Sequence, residues 1–294
     1  MNWILLSVIV ALLYAIVNII DKIFIDNHVK NPYLASAISF FSTVVIFCGI
    51  SIIKTDVFHA NLKVIAISFS AGLINSICVI LYYYTLQKEE VSRFVPIMSL
   101  RPGFAVILSY FILAESFSGI VYLGIILILL GSLLMSIRKK INKFSIDKLL
   151  IFLLIIVTIL FALKNVLIKW GSLDADIYIV NFWVGVAAGL MFLIFIFKHW
   201  PKNKLEMRGS KLLLIADILS ALTFFALALT LKKGPASLVT AIMQLKLVFV
   251  FIFSVFFTVF FPKILREEIS KKIILQKVAA MSIIIIGTLL IIYR

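Results

Sequence analysis

The sequence predicts an all-α integral membrane protein of ten transmembrane helices, arranged as two inverted five-helix repeats. Three observations carry that expectation. The first is composition: 64% of the 294 residues are apolar and 14% charged, against roughly 45–50% and 25% in soluble domains. The second is spacing, because the chain divides almost wholly into apolar runs of about 20 residues, the length that crosses a hydrocarbon core of about 30 Å. The third is an internal repeat. Residues 85–101, TLQKEEVSRFVPIMSLR, return at 230–246 as TLKKGPASLVTAIMQLK, with seven identities in seventeen positions at a spacing of 145. Shared composition would give about one or two.

The first apolar run, 3–24, lacks a basic leader and a small-residue cleavage site and runs into Asp21-Lys22, so it is expected to stay as a helix. Runs 34–53, 64–86, 92–113 and 118–137 follow, separated by DNHVKNP, KTDVFHANLK, KEEVSR and AESFSG. These five form a first unit, residues 1–140. The second unit, 141–294, holds runs 149–169, 177–197, 212–231, 236–261 and 273–293. Its relation to the first extends beyond the opening repeat. Tyr14-Ala15, Asn18 and Lys22 are echoed 147 residues on by Phe161-Ala162, Asn165 and Lys169, and Gly131-Ser-Leu-Leu recurs as Gly287-Thr-Leu-Leu. Because five is odd, the second unit enters the membrane from the face opposite to the first, as in many secondary transporters.

The net charge of +15 points to lipid headgroups rather than nucleic acid, because most Lys and Arg flank apolar runs. Connections 1–2, 3–4, 5–6, 7–8 and 9–10 hold nearly all of them, including Arg138-Lys139-Lys140, Lys202, Lys204, Arg208, Lys263, Arg266 and Lys271-Lys272. The positive-inside rule makes that face cytoplasmic and places both termini outside, in an inner or plasma membrane. Cys48 and Cys78 fall inside apolar runs and read as small core residues.

The candidate site starts from Arg101 and Lys246, the cations that end the two copies of the repeat. Each lies roughly 12–15 Å from the start of its helix, and the helices start on opposite faces, so both arrive near the midplane. A cation there costs about 2.5–3.5 kcal/mol unless it meets a cavity or a partner. Acids at that depth are scarce: Asp217 lies near the start of run eight, Asp21 near a helix end, and Glu89, Glu90, Glu115, Glu267 and Glu268 in or beside connections. A substrate anion is therefore the expected partner, with Arg gripping a carboxylate or phosphate bidentately and Lys acting as a point charge. Further substrate-binding candidates are Asn75 with its repeat mate Ser220, Asn18 with Asn165, Tyr82 and Lys164, which either pairs with Asp217 or snorkels to the interface. Lys22 and Lys169 read as interfacial. Pro96 and Pro102-Gly103 are expected to loosen helix four around Arg101, whereas helix nine carries no such prolines, so the halves are expected to differ mechanically. There is no HExxH, GxSxG, GxGxxG, P-loop or clustered ligand set, so no catalytic residue, metal or cofactor is expected.

Ser92, Pro96 and then FILAESFSGIVYLGIILILLG, with Glu115, Gly124 and Gly131, resemble the EamA unit of the drug/metabolite transporter superfamily, whose members carry two such units in ten helices. The second unit resembles a divergent copy, with Glu268 answering to Glu115 and Ala280 standing where a glycine is expected. The resemblance implies a carrier working by alternating access. In the phosphate-translocator branch, basic residues on the fourth and ninth helices hold the anion, which implies such a role for Arg101 and Lys246. The expectation is thus a secondary transporter, not an enzyme, for a small anionic or zwitterionic metabolite bearing a carboxylate or phosphate, working by exchange, with the bilayer and a small-molecule substrate as partners and a monomeric or homodimeric state. A flippase for a phosphate-linked lipid and a non-transporting scaffold or receptor are the alternatives.

Overall fold

In a computed structural model the chain is described over residues 2–28, 32–88, 97–136, 148–199, 210–260 and 271–293. Among the described residues every long apolar run is helical, as lipid requires of a backbone that must satisfy its own hydrogen bonds. The helices are α1 (Trp3–His28), α2 (Pro32–Lys54), α3 (Leu62–Lys88), α4 (Arg101–Leu113), α5 (Gly119–Ser136), α6 (Lys148–Asp174), α7 (Ile177–His199), α8 (Ser210–Lys233), α9 (Ala236–Ile242), α10 (Leu245–Phe260) and α11 (Lys271–Ile292). Together α9 and α10 make one span, the ninth. Nine stretches among the described residues are long and apolar enough to cross a membrane, and α4 is a shorter apolar helix in the position of the fourth. Ser92, Pro96, Glu89, Glu90, Glu267, Glu268 and most of the basic connections lie outside the described residues, as do the side chains of Asp21 and Lys22.

The helix contacts follow the repeat. Span five packs along span ten and span two along span seven. Span three packs on six and seven as span eight packs on one and two, and span four packs on six as span nine packs on one. The five–ten contact is backbone to backbone. A Cβ on Gly124 would stand 2.7 Å from the Gly287 carbonyl oxygen, and one on Gly287 would stand 2.6 Å from the Gly124 oxygen. Further along, a Cβ on Gly131 would meet the Ala280 oxygen at 2.9 Å. Position 124 corresponds to 280 and 131 to 287, so the two contacts exchange under the repeat. Small residues admit this approach, which suits helices that cannot gain hydrophobic stabilisation inside lipid.

A core of Val10, Phe47, Val166, Val184, Phe224 and Leu231, among others, joins α1, α2, α6, α7 and α8. Phe47 anchors it with ring centroids 4.8 Å from Phe224 and 5.2 Å from Phe225. A second core of Val121, Ile125, Ile128, Leu238, Ile242 and Ile291 joins α5, α9 and α11. Large apolar side chains cover the outside instead of polar ones: Phe197 is 86% exposed and Phe111 78%, as on a surface solvated by acyl chains.

Candidate functional site

The fourth and ninth spans both lose their regular helical hydrogen bonds just before their cations. In the fourth, the Leu100 N–H donates to Ile97 and the Gly103 N–H to Leu100, both three residues back. Pro102 in the first turn of α4 supplies no N–H at all, so the Met98 carbonyl lacks its helical donor. In the ninth, Gln244 donates to Ala241, Lys246 to Met243 and Leu247 to Gln244, the same tightened pattern without a proline. Helix nine is therefore interrupted too, although it carries no proline at that point. Arg101 and Lys246 stand in the first turns of the half-helices that follow, α4 and α10, where the backbone adds partial positive charge.

Both cations face aromatic rings of the opposite unit. The Arg101 guanidinium lies 4.5 Å from the centroid of Phe161 on α6, and the Lys246 ammonium 5.8 Å from that of Tyr14 on α1. Phe161 and Tyr14 are the aromatic pair related by the 147-residue spacing, so the two contacts are counterparts. Arg101 lies within electrostatic reach of Tyr14, Cys78 and Tyr82, and Lys246 within reach of Arg101 and Lys164. Among the described residues neither the Arg101 nor the Lys246 side chain makes a hydrogen bond or ion pair, and the Arg101 Nε–H is buried without an acceptor. Both side chains are only partly buried.

Lys164 joins them as a third cation. Its Nζ donates to Asn75 Oδ1 at 2.6 Å and stands 3.9 Å from the Phe224 ring and 5.0 Å from Phe161. The residue is 5% exposed. This corrects the alternatives of pairing with Asp217 or snorkelling: the side chain turns inward, and Asp217 instead accepts from the Tyr83 hydroxyl at 3.4 Å. Asn165 reaches the ninth span, its Nδ2 3.4 Å from Thr240 Oγ1. Asn18 and Ser220 make no side-chain hydrogen bond among the described residues, and nothing joins them to the cations. Of the eight residues singled out, the structure thus gathers Arg101, Lys246, Lys164, Asn75 and Tyr82. Sequence reasoning did not assign Phe161, Tyr14 and Phe224 to the site, although the matched aromatics at 14 and 161 were a usable signal.

One face of the molecule is stitched together around these spans. Ala114, which ends α4, adopts a left-handed conformation (φ 53°), and its N–H returns to Ser109. That turn delivers the Glu115 carboxylate to the Ala236 N–H at 2.7 Å, the Ser237 N–H at 3.2 Å and the Ser237 hydroxyl, all in the first turn of α9. Glu115 thus bonds amides of the other unit rather than of its own connection. Beside it Lys169 donates to the Lys232 carbonyl, Lys232 to the carbonyls of Ser172 and Ala175, and Lys63 pairs with Asp174 at 2.7 Å.

Ten apolar segments with two interrupted spans meeting among three cations define a multi-pass membrane protein. The EamA-like transporter family, part of the drug/metabolite transporter superfamily, is matched over residues 1–137. An uncharacterised protein of Methanocaldococcus jannaschii is 30% identical over 137 residues, which are 46% of this chain and 97% of that protein. A crystal structure with 15% identity superposes with a TM-score of 0.74 over 98% of this chain and 95% of its own, a likeness of fold. The chain belongs to the EamA-like transporter family, a family of membrane transporters.

Proposed function

We propose that this protein carries a small anionic metabolite bearing a carboxylate or phosphate, held between Arg101, Lys246 and Lys164. One observation carries the reading: cations on the two interrupted spans stand in the first turns of their half-helices, within electrostatic reach of a third cation and with no acid partner among the described residues. Rings of Phe161, Tyr14 and Phe224 stabilise such charges only partly, by about 0.5–2 kcal/mol each. An anion would meet three complementary charges, bidentately at Arg101. A cationic substrate would meet like charge in a medium of low dielectric.

Residues 1–140 and 141–294 act in this reading as two inverted units that rock about the site. A family match confined to residues 1–137, and a relative matched over 97% of its own length by 46% of this chain, support the division. By the Lys and Arg bias, the face fastened by Glu115 is the outer one and the termini lie outside. With no acid among the described residues acting on the cations, an empty site repels itself, which favours exchange of one anion for another.

The test is stabilisation of the purified protein by a panel of phosphate, sulfate, di- and tricarboxylates and organic cations, followed by counterflow in proteoliposomes with any stabilising anion. Anions should raise the melting temperature of the wild type and not of Arg101→Gln, because ligands that bind only the folded state stabilise it by mass action. Stabilisation by cations alone sinks the reading, and a flux indifferent to internal anion sinks the exchange step.

A further inference from the structure

The two interruptions touch each other. Gln244 and Ser99 are counterparts at the 145-residue spacing, and the Gln244 side-chain Nε2 donates to the Ser99 carbonyl oxygen at 2.9 Å. Both residues are buried, 5% and 3% exposed. Local structure on the fourth span explains why that carbonyl is available. Its helical donor would be the Gly103 N–H, which bonds Leu100 instead. The Ser99 hydroxyl meanwhile lies 3.0 Å from Ser136 Oγ on α5, and Ser136 donates to Ser132 within that helix. Gln244 is thus a direct link from the ninth span to the fourth at the point where each gives up its regular hydrogen bonds.

Its place in the chain gives the link a consequence. Arg101 follows Ser99 by two residues and Lys246 follows Gln244 by two, so a bond between 99 and 244 ties the starts of the two half-helices that carry the cations. A buried hydrogen bond of good length has narrow geometry. We infer that Gln244 is a positioning residue, whose hydrogen bond to the Ser99 backbone sets the separation of Arg101 and Lys246 and so the size of anion that both can grip at once. The inference rests on the reading that these two cations hold the transported anion. It assigns size selection to a neutral side chain that need not touch the ligand.

The test uses two probes of different size, inorganic phosphate and citrate, bound to the purified full-length protein and titrated by thermal stabilisation. Gln244→Leu keeps the bulk and removes the donor. It should weaken phosphate about tenfold and citrate by less, so that the ratio of the two affinities changes. Ser99→Ala should leave the ratio as in the wild type, because the acceptor is a main-chain carbonyl. Should Gln244→Leu fail to fold, Gln244→Met, of similar length and also without a donor, is read in the same way. A merely structural role would lower the melting temperature of the unliganded protein and leave the ratio alone. An unchanged ratio in the Gln244 variant, with Arg101→Gln abolishing both probes, overturns this inference and leaves the anion reading standing. If Arg101→Gln binds both probes as the wild type does, or the wild type binds neither, the anion reading fails and this inference falls with it.

Discussion

The fourth and ninth spans perform the same task with different chemistry. Each interrupts its helix, places a cation in the next turn and sets that cation near a ring of the opposite unit. The fourth does so with Pro102, arginine and Phe161 at 4.5 Å. The ninth does so with no proline, lysine and Tyr14 at 5.8 Å. The difference teaches that the interruption belongs to the fold rather than to proline. What the two spans share is their meeting point, where Gln244 holds the Ser99 carbonyl across the units.

Substitutions can break or sharpen this comparison, and the largest effect belongs to the cations. Arg101→Gln should weaken binding of a stabilising anion about a hundredfold and Lys246→Gln about tenfold, since only the guanidinium is bidentate. Equal losses in titrations of the two variants would show that the spans contribute alike. Next is the contact made at the end of the fourth span and received at the start of the ninth. Glu115→Gln should lower the unfolding free energy by about 1–2 kcal/mol, the range for a lost charged helix cap, read from chemical denaturation in detergent. The rings should differ in proportion to their distances. Phe161→Leu should cost about 1 kcal/mol and Tyr14→Leu about half of that. A reversed order would mean that the Tyr14 ring acts through something other than Lys246. The smallest effects should come from exchanging the helix breakers. Leu247→Pro places proline in the ninth span where the fourth has Pro102, and it should cost about 1 kcal/mol rather than the ~3 kcal/mol of a helix interior. A loss near the larger figure would show the ninth span to be continuous in solution.

Much of this was legible in the sequence, and the limits have physical causes. Apolar length reports the spans because a bilayer sets one thickness for all of them. The doubled stretch ending in Arg101 and Lys246 exposes the site because a charge at that depth has few innocuous explanations. Lys164 and Asn75 were each visible as polar residues inside apolar runs, but not as partners. Pairing depends on the rotation of α3 against α6, and a uniformly apolar helix carries no mark of which side faces inward. For the same reason Asp217 was a plausible partner on the page and Asn75 the actual one. The break in the ninth span left no trace because no proline marks its shift to bonds three residues back, whereas Pro102 announces the break in the fourth locally. Glu115 was readable as a turn residue, while its reach into the other unit depended on the left-handed Ala114, a conformation that alanine does not advertise.

The glycine seam between spans five and ten carries a last implication. Where main chain lies on main chain, the joint is indifferent to what the remaining surfaces become, provided nothing larger than hydrogen projects from Gly124 and Gly287. The two sides of the seam can therefore differ in charge, rings and loops and still close on the same joint. Divergence elsewhere in the chain, arginine against lysine included, is what such a joint permits.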